Sequence, residues 1–275
     1  MNVEVAVVPA AGRGTRMMDA TRVVPKALLP VIDRPALQWV LQEAVAGGAV
    51  ELIVVVSPGV DDLIFSHFEG MGGVDRIGDL RDVRIRWVVQ ERPLGLGDAV
   101  LRAREAVAGR PFHCLLGDNI MLPGVPCLGP MATASDGRSV VALREMTAAE
   151  TSAYGVAELG EWLDESVVEI VGAVEKPGPE AAPSHLGFLG RYLFTPEVFD
   201  LLEELEPGYG GEVQLTDAIR MLAEGGRCLG AVIDAAPLDV GNPASYLEAI
   251  TLLGLQHPAT ATRYRAFIES VIAGG

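Results

Sequence analysis

Strand-like runs alternate with helix-patterned segments through the first half of this chain, and few folds absorb that order. Val3 to Pro9 is a short β-branched run followed by Ala10-Ala11-Gly12-Arg13-Gly14. It reads as a buried strand ending in a glycine turn. Leu37, Val40, Leu41, Ala44 and Val45 fall at helical spacing, and Gly47-Gly48 can end that helix. Glu51 to Ser57 is a second buried strand. A helix from Val60 to Phe68 follows, then a glycine-rich loop from Gly70 to Val83. Ile85 to Gln90 is a third strand, Leu96 to Val107 a helix, and Phe112 to Gly117 a fourth strand ending at Asp118-Asn119. This order predicts an α/β fold: an open, mostly parallel sheet with helices on both faces. Ligands of such sheets lie at the carboxyl ends of the strands, where the glycine turn and Asp118 both fall.

After Pro123 the pattern changes. Strand-like runs at Ser139 to Arg144, Val167 to Glu175 and Leu189 to Phe194 have no long helix between them. They predict a smaller, mixed β extension of the sheet. Helices return at Pro196 to Leu205, Leu215 to Ala223 and Pro243 to Leu253, and a last amphipathic helix spans Ala259 to Ile272. The expected boundaries are one domain over residues 1–255, divided near residue 122, with a C-terminal helix over 256–275. No internal repeat or low-complexity segment stands out.

Composition narrows the partners. Hydrophobic residues make up 49% of the chain and charged residues 21%, so a sizeable core is available. The net charge of -16 disfavours nucleic acid and anionic membrane. No apolar run reaches the ~18 residues of a membrane span. Met1 to Pro9 lacks the basic start of a secretory signal. Cys114, Cys127 and Cys228, like the four histidines, are scattered without disulfide or metal spacing. These features suit a reducing cytoplasm.

Against that acidic background the first 34 residues carry Arg13, Arg16, Arg22, Lys26 and Arg34 against Glu4, Asp19 and Asp33. The glycine turn can bring backbone N–H groups close to an anion. It is neither a dinucleotide fingerprint, since Met17 takes the place of the third glycine, nor a Walker A loop, since no lysine follows at the required spacing. Its added content is charge: Arg16 as a planar fork and Lys26 as a point charge can hold two phosphates. Only two lysines occur among twenty-one cationic residues, Lys26 and Lys176, and both adjoin a proline. A narrow anion pocket accepts a lysine where an arginine fork does not fit.

Gly12-Arg13-Gly14-Thr15-Arg16, Pro25-Lys26-Ala27-Leu28-Leu29-Pro30-Val31 and Arg34-Pro35 together resemble the signature of sugar-1-phosphate nucleotidylyltransferases. Gln90 with Gly95-Leu96-Gly97-Asp98-Ala99-Val100 resembles their base-binding region. Val174-Glu175-Lys176-Pro177, Gly190-Arg191-Tyr192, Gly211-Glu212-Val213-Gln214-Leu215-Thr216-Asp217-Ala218 and Asp239-Val240-Gly241-Asn242 resemble bacterial UTP–glucose-1-phosphate uridylyltransferases. The motifs cover nearly the whole chain in the expected order.

The resemblance implies a Rossmann-like, GT-A-like nucleotidyltransferase fold, with a nucleotide-binding half over 1–122 and a sugar-binding half over 123–255. It implies magnesium-dependent transfer of a uridylyl group from UTP to glucose 1-phosphate, giving UDP-glucose and pyrophosphate. Arg16, Lys26 and Lys176 would be catalytic. Ala10, Ala11, Gly12, Gly14, Thr15, Gln90, Gly95 and Asp118 would hold the nucleotide, and Gly155, Glu175, Lys176 and Gly190 the sugar phosphate. Asp118 and Asp239 would face one Mg2+ ion, which favours carboxylate oxygens. A homo-oligomer, dimer or tetramer, is also implied.

Some positions depart from the pattern. Asp19 stands where proline is usual, and Ala27 where glutamate is common. Leu94 and Asp98 stand where uridylyltransferases often have lysine and histidine. Gly117-Asp118-Asn119 looks more like thymidylyltransferase relatives, so dTTP or another sugar 1-phosphate is the alternative substrate. A non-catalytic sugar-nucleotide sensor is a third reading. Taken singly, the residues have plainer readings as well. Glu175-Lys176 suits an exposed pair at a strand end, and Glu212 suits a cap for the helix near Leu215. Gln90 suits an ordinary strand end, and Trp39, Trp87 and Trp162 suit packing.

Overall fold

Val5 and Val7 point to one side of the first strand and Ala6 and Val8 to the other, and each pair joins a different apolar cluster. A strand covered on both faces needs no polar alternation, which is why its sequence reads as a continuous apolar run. The computed structural model describes residues 1–12, 14–59, 61–69, 80, 82–235 and 237–274.

This first strand is β1 (Val5–Pro9). A small hairpin, β2 (Pro30–Val31) with β3 (Arg34–Pro35), leads into α1 (Ala36–Ala46), whose buried residues recur at helical spacing. Next come β4 (Glu51–Val56), α2 (Asp61–Glu69) and β5 (Arg84–Val89). The glycine-rich loop expected between the last two lies mostly outside the described residues. The single helix expected over Leu96 to Val107 is two pieces, α3 (Leu96–Arg102) and α4 (Arg104–Val107). At the junction the Ala103 N–H bonds the Val100 carbonyl at 3.0 Å, an i→i−3 bond that tightens the turn and breaks the α-helical ladder.

The chain continues through β6 (Phe112–Leu115), β7 (Asn119–Ile120), α5 (Leu128–Ala134) and β8 (Ser139–Glu145). Then β9 (Gly155–Trp162), β10 (Val167–Glu175) and β11 (Leu186–Phe194) run in succession. After them come α6 (Val198–Glu204), α7 (Leu215–Glu224), β12 (Cys228–Val232), β13 (Leu238–Asp239), α8 (Pro243–Gln256) and α9 (Ala261–Gly274). The sequence reading missed β9, β12 and α5. Gly230 breaks the apolar pattern of β12, and a glycine is needed there because a Cβ would run into Leu143. Gly129-Pro130 disguises α5, although proline is tolerated in a first helical turn.

Nine strands form one sheet in the order β5-β4-β1-β6-β11-β8-β12-β10-β9, with a further β11–β9 contact. β5, β4, β1 and β6 run parallel to one another, as expected of strands joined by helices. Beyond β6, where a mixed extension was expected, the sheet is mixed, with β12 parallel to β8. There β11 is antiparallel to both β6 and β8, and β10 is antiparallel to both β9 and β12. For β9 and β10 the cause is connection length: the link from Trp162 to Val167 is too short for the crossover that a parallel pair needs. One apolar cluster lies under α3, α6 and α7, a second under α1, α2 and α5, and a third under α8.

Candidate active site

The carboxyl ends of β1, β5 and β6 open into a cavity of about 940 Å³. Lining it are Ala10, Ala11, Gly12, Gly14, Arg16 and Lys26 from the first segment, then Gln90, Gly95 and Asp118. Gly155, Glu175, Lys176, Gly190 and Asp239 line the same space. The Thr15 backbone opens a 3-10 helix over Thr15–Thr21. Arg13 lies outside the described residues. The structure therefore brings segments from across the chain to one cleft.

Two features hold the glycine turn in place. The Ala10 N–H donates to the Val55 carbonyl at 2.7 Å, and the Ser57 hydroxyl donates to the Ala11 carbonyl at 3.0 Å. Gly14 takes the left-handed backbone at φ 64°, and a Cβ there would stand 3.1 Å from Lys26 Cβ. A Cβ on Gly12 would meet nothing, so the space above it belongs to the cavity.

Lys26 begins a 3-10 turn and is only 7% exposed. Its ammonium bonds Asp118 Oδ2 directly and lies 3.9 Å from Asp239 Oδ1. The two aspartates meet because β7 and β13 pair antiparallel, with Asn119 opposite Asp239 and Ile120 opposite Leu238. Ile120, Leu238 and Val240 are buried under α8, and the Val240 N–H donates to the Asp118 carbonyl at 3.0 Å. Apolar burial thus fixes two short strands whose polar ends carry the carboxylates. A Cβ on Gly241 would stand 2.5 Å from both Lys26 Nζ and Asp239 Oδ1, and 3.0 Å from Arg16 Nη2. Those three charged groups converge on the space a side chain would fill.

At the other end, Glu175 accepts the Thr216 hydroxyl at 2.6 Å on Oε2 and pairs with Lys176 at 2.9 Å through Oε1. The Lys176 ammonium is 5.5 Å from the centre of the Tyr209 ring. Its backbone has φ 47°, a conformation that costs a non-glycine residue roughly 1–2 kcal/mol. Gly190, at φ 80°, lets Asn119 approach: a Cβ there would stand 2.9 Å from Asn119 Nδ2. Beneath it the fully buried Arg191 forks onto Glu43 at 2.8 and 2.6 Å and donates to the Asn119 carbonyl at 2.7 Å.

Arg144 and Glu150 also line the cavity, paired at 2.6 Å. Burial pushes the Glu150 carboxyl up, but its bonds from Arg144 and Thr147 outweigh this and hold it at about 2. Glu212 does not cap the helix near Leu215; it accepts from Gln214 Nε2 at 3.3 Å and faces the cavity. None of the three tryptophans lines it. Trp87 packs on Phe65 and Phe68, and Trp39 Nε1 donates to the Val31 carbonyl at 3.1 Å. Sequence reasoning missed the parts played by Thr216, Tyr209 and Arg144. A polar residue opening α7 was the one visible signal, and it was weak.

The sequence pattern described as nucleotidyl transferase matches residues 5–254. This chain belongs to the nucleotidyl transferase family. A UTP–glucose-1-phosphate uridylyltransferase of Streptococcus pneumoniae serotype 4 is 37% identical, covering 93% of this chain and 92% of that one. One from Bacillus subtilis strain 168 is 33% identical over 98% of this chain and 96% of its own. A crystal structure of UDP-glucose pyrophosphorylase complexed with UDP-glucose superposes with a TM-score of 0.83 at 32% identity. It covers 91% of this chain and 98% of that one. This nucleotidyl transferase therefore shares the α/β fold of its relatives along nearly its full length.

Proposed function

We propose that this nucleotidyl transferase joins UTP and glucose 1-phosphate to give UDP-glucose and pyrophosphate. The observation that carries the reading is one cavity lined by both lysines and by the paired aspartates. Relatives of this length and similarity are named for the same reaction.

An oxygen of the sugar phosphate attacks the α-phosphorus of UTP, and the bond from that phosphorus to the pyrophosphate oxygen breaks. The nucleophile is already an anion, so no general base is required. The difficulty is holding two polyanions in line, which calls for positioning and charge neutralisation. Arg16, beside Gly241, steadies the departing pyrophosphate. Lys26, nearly buried, sets its ammonium between phosphates at the reacting centre. Lys176 holds the sugar phosphate, while Glu175, fixed by Thr216, accepts from sugar hydroxyls alongside Gly155 and Gly190. Gln90 and the backbone at Ala11 and Gly95 read the pyrimidine edge. Ala10, Gly12 and Gly14 form the phosphate-facing turn, and the Thr15 backbone follows it.

Magnesium fits this site. Asp118 and Asp239 offer hard carboxylate oxygens on one side, leaving further positions for water and phosphate. The cavity lining carries four cations against six carboxylates, too little positive charge for two polyanions. When bound, magnesium supplies the missing positive charge at the phosphate oxygens.

The same reading divides the Rossmann-like domain at residue 122 into a nucleotide half and a sugar half extending to 255. It leaves a C-terminal segment over 256–275, whose helix α9 offers Phe267, Val271 and Ile272 for a dimer or tetramer. Three buried thiols suit a reducing cytoplasm, and no helix among the described residues is long and apolar enough to cross a membrane.

Pyrophosphate release across a matrix of UTP, dTTP and other nucleotides with several sugar 1-phosphates tests the reaction. UTP with glucose 1-phosphate is expected to give the highest kcat/KM. A tenfold preference for dTTP would overturn the base, and tight UDP-glucose binding without turnover would favour a sensor.

A further inference from the structure

Asp98 occupies the third position of α3, where an acidic residue commonly serves a helix N-terminus. It also pairs with Arg102 one turn on. Those two roles would account for an exposed aspartate. Asp98 is instead 4% exposed, and its second oxygen is committed elsewhere: Oδ2 accepts Gln90 Nε2 at 2.7 Å. The same Gln90 nitrogen donates to the Gly95 carbonyl at 3.0 Å.

Both partners of that nitrogen are acceptors. A backbone carbonyl cannot donate, and neither can a carboxylate paired with a guanidinium. The Gln90 amide therefore has one tolerable orientation, with its NH2 on Asp98 and Gly95. Reversing it would set Oε1 against two acceptors. Among the described residues no group donates to Oε1, and Gln90 lines the cavity. Gln90 thus offers a ligand an acceptor and nothing else.

We propose that Asp98 is a positioning residue that locks Gln90 as an acceptor and thereby selects nucleotides whose pyrimidine presents an N3–H. This rests on the reading of the cavity as a uridylyltransferase site. Uracil and thymine carry a proton on N3, which bonds Oε1. Cytosine carries a lone pair there, which Oε1 repels. A glutamine free to turn would serve both rings and discriminate little. Asp98 removes that freedom.

The test compares kcat/KM for UTP and CTP, with glucose 1-phosphate, in the wild type and in Asp98→Asn. Asparagine keeps the shape but has one side-chain oxygen for two donors. The charged Arg102 holds that oxygen more strongly, so the asparagine NH2 is turned on Gln90 and favours the reversed amide. The UTP-to-CTP ratio is expected to narrow by about tenfold or more, through KM for UTP rather than kcat. Arg102→Ala removes the ion pair without touching Gln90; it should lower the melting temperature and leave the ratio unchanged. A folded Asp98→Asn variant with the wild-type ratio overturns the proposal. If that variant does not fold, UTP and N3-methyl-UTP are compared on the wild type. Loss of the methylated nucleotide by at least about tenfold supports an acceptor-only Gln90, and equal use overturns it. A wild type that turns over no uridine nucleotide defeats the uridylyltransferase reading itself. An active wild type with failed discrimination defeats the role of Asp98 alone.

Discussion

Lys176 sets its ammonium 2.9 Å from the carboxylate of its chain neighbour Glu175, and does so from a left-handed backbone at φ 47°. Adjacent residues of an extended strand point to opposite faces, so the turn away from strand geometry is what lets both side chains face the cavity. Strain of this kind persists where the surroundings impose it. Stability and activity should then separate at this position. Lys176→Gly removes the strained side chain and is expected to be as stable as the wild type, or up to about 1 kcal/mol more stable, in urea unfolding. Its turnover should fall by a hundredfold or more, to about the level of a site lacking one phosphate contact. Lys176→Arg keeps the charge, yet its broad fork should misplace the sugar phosphate and cost about tenfold in kcat. Wild-type kinetics in the arginine variant would show that lysine's shape is unimportant.

Asp118, just before β7, and Asp239, at the end of β13, approach one ammonium. Asp118→Asn and Asp239→Asn keep the shape of the β7–β13 pair while removing one negative charge each. The magnesium concentration for half-maximal activity should rise about tenfold in each variant. Titration of activity with magnesium measures it, and superimposable curves for all three proteins would take both carboxylates out of the metal site.

Gly241 tests the convergence of Arg16, Lys26 and Asp239 from the other side. In Gly241→Ala the new methyl would stand 2.5 Å from two of those groups, so charged side-chain ends must shift. The ends are flexible, and the fold should survive with little change in melting temperature. A shift of about 1 Å at a reacting centre costs on the order of a hundredfold in kcat. A folded alanine variant with unchanged kcat would place the reacting centre away from Gly241.

The legible parts of the molecule were those with strong local grammar. The β1 run, the glycine turn and the placing of Asp118 just past β6 follow from burial on two faces and from glycine at φ 64°. Asp239 carries no such grammar. Its strand is two residues long and pairs with β7 across more than a hundred residues, so only the resemblance pointed to it. The direction of β9, β10 and β11 depends on connection lengths that a missed strand makes unreadable. The left-handed Lys176 was invisible because glycine and asparagine are the residues that advertise positive φ. Asp98 reads in the sequence as a mere departure from pattern; only its bond from Gln90 gives it a part in the site.

His113 gives the pH dependence of stability a definite window. It lies in β6 at 1% exposure, and burial pushes its imidazole down to about 4 against a bond to the Tyr192 backbone. In the unfolded chain it titrates near 6.5. Between those values the unfolded state binds the proton and the folded state does not, so protons favour unfolding. The contribution is therefore full above pH 6.5 and is lost as pH falls towards 4. The shift corresponds to about 3 kcal/mol across the window. His113→Leu, similar in volume and unable to titrate, should lack this component. Urea unfolding at pH 7 and at pH 4.5 should show the wild type losing about 2–3 kcal/mol more than the variant. Parallel losses in the two proteins would assign the acid sensitivity to the carboxylates instead.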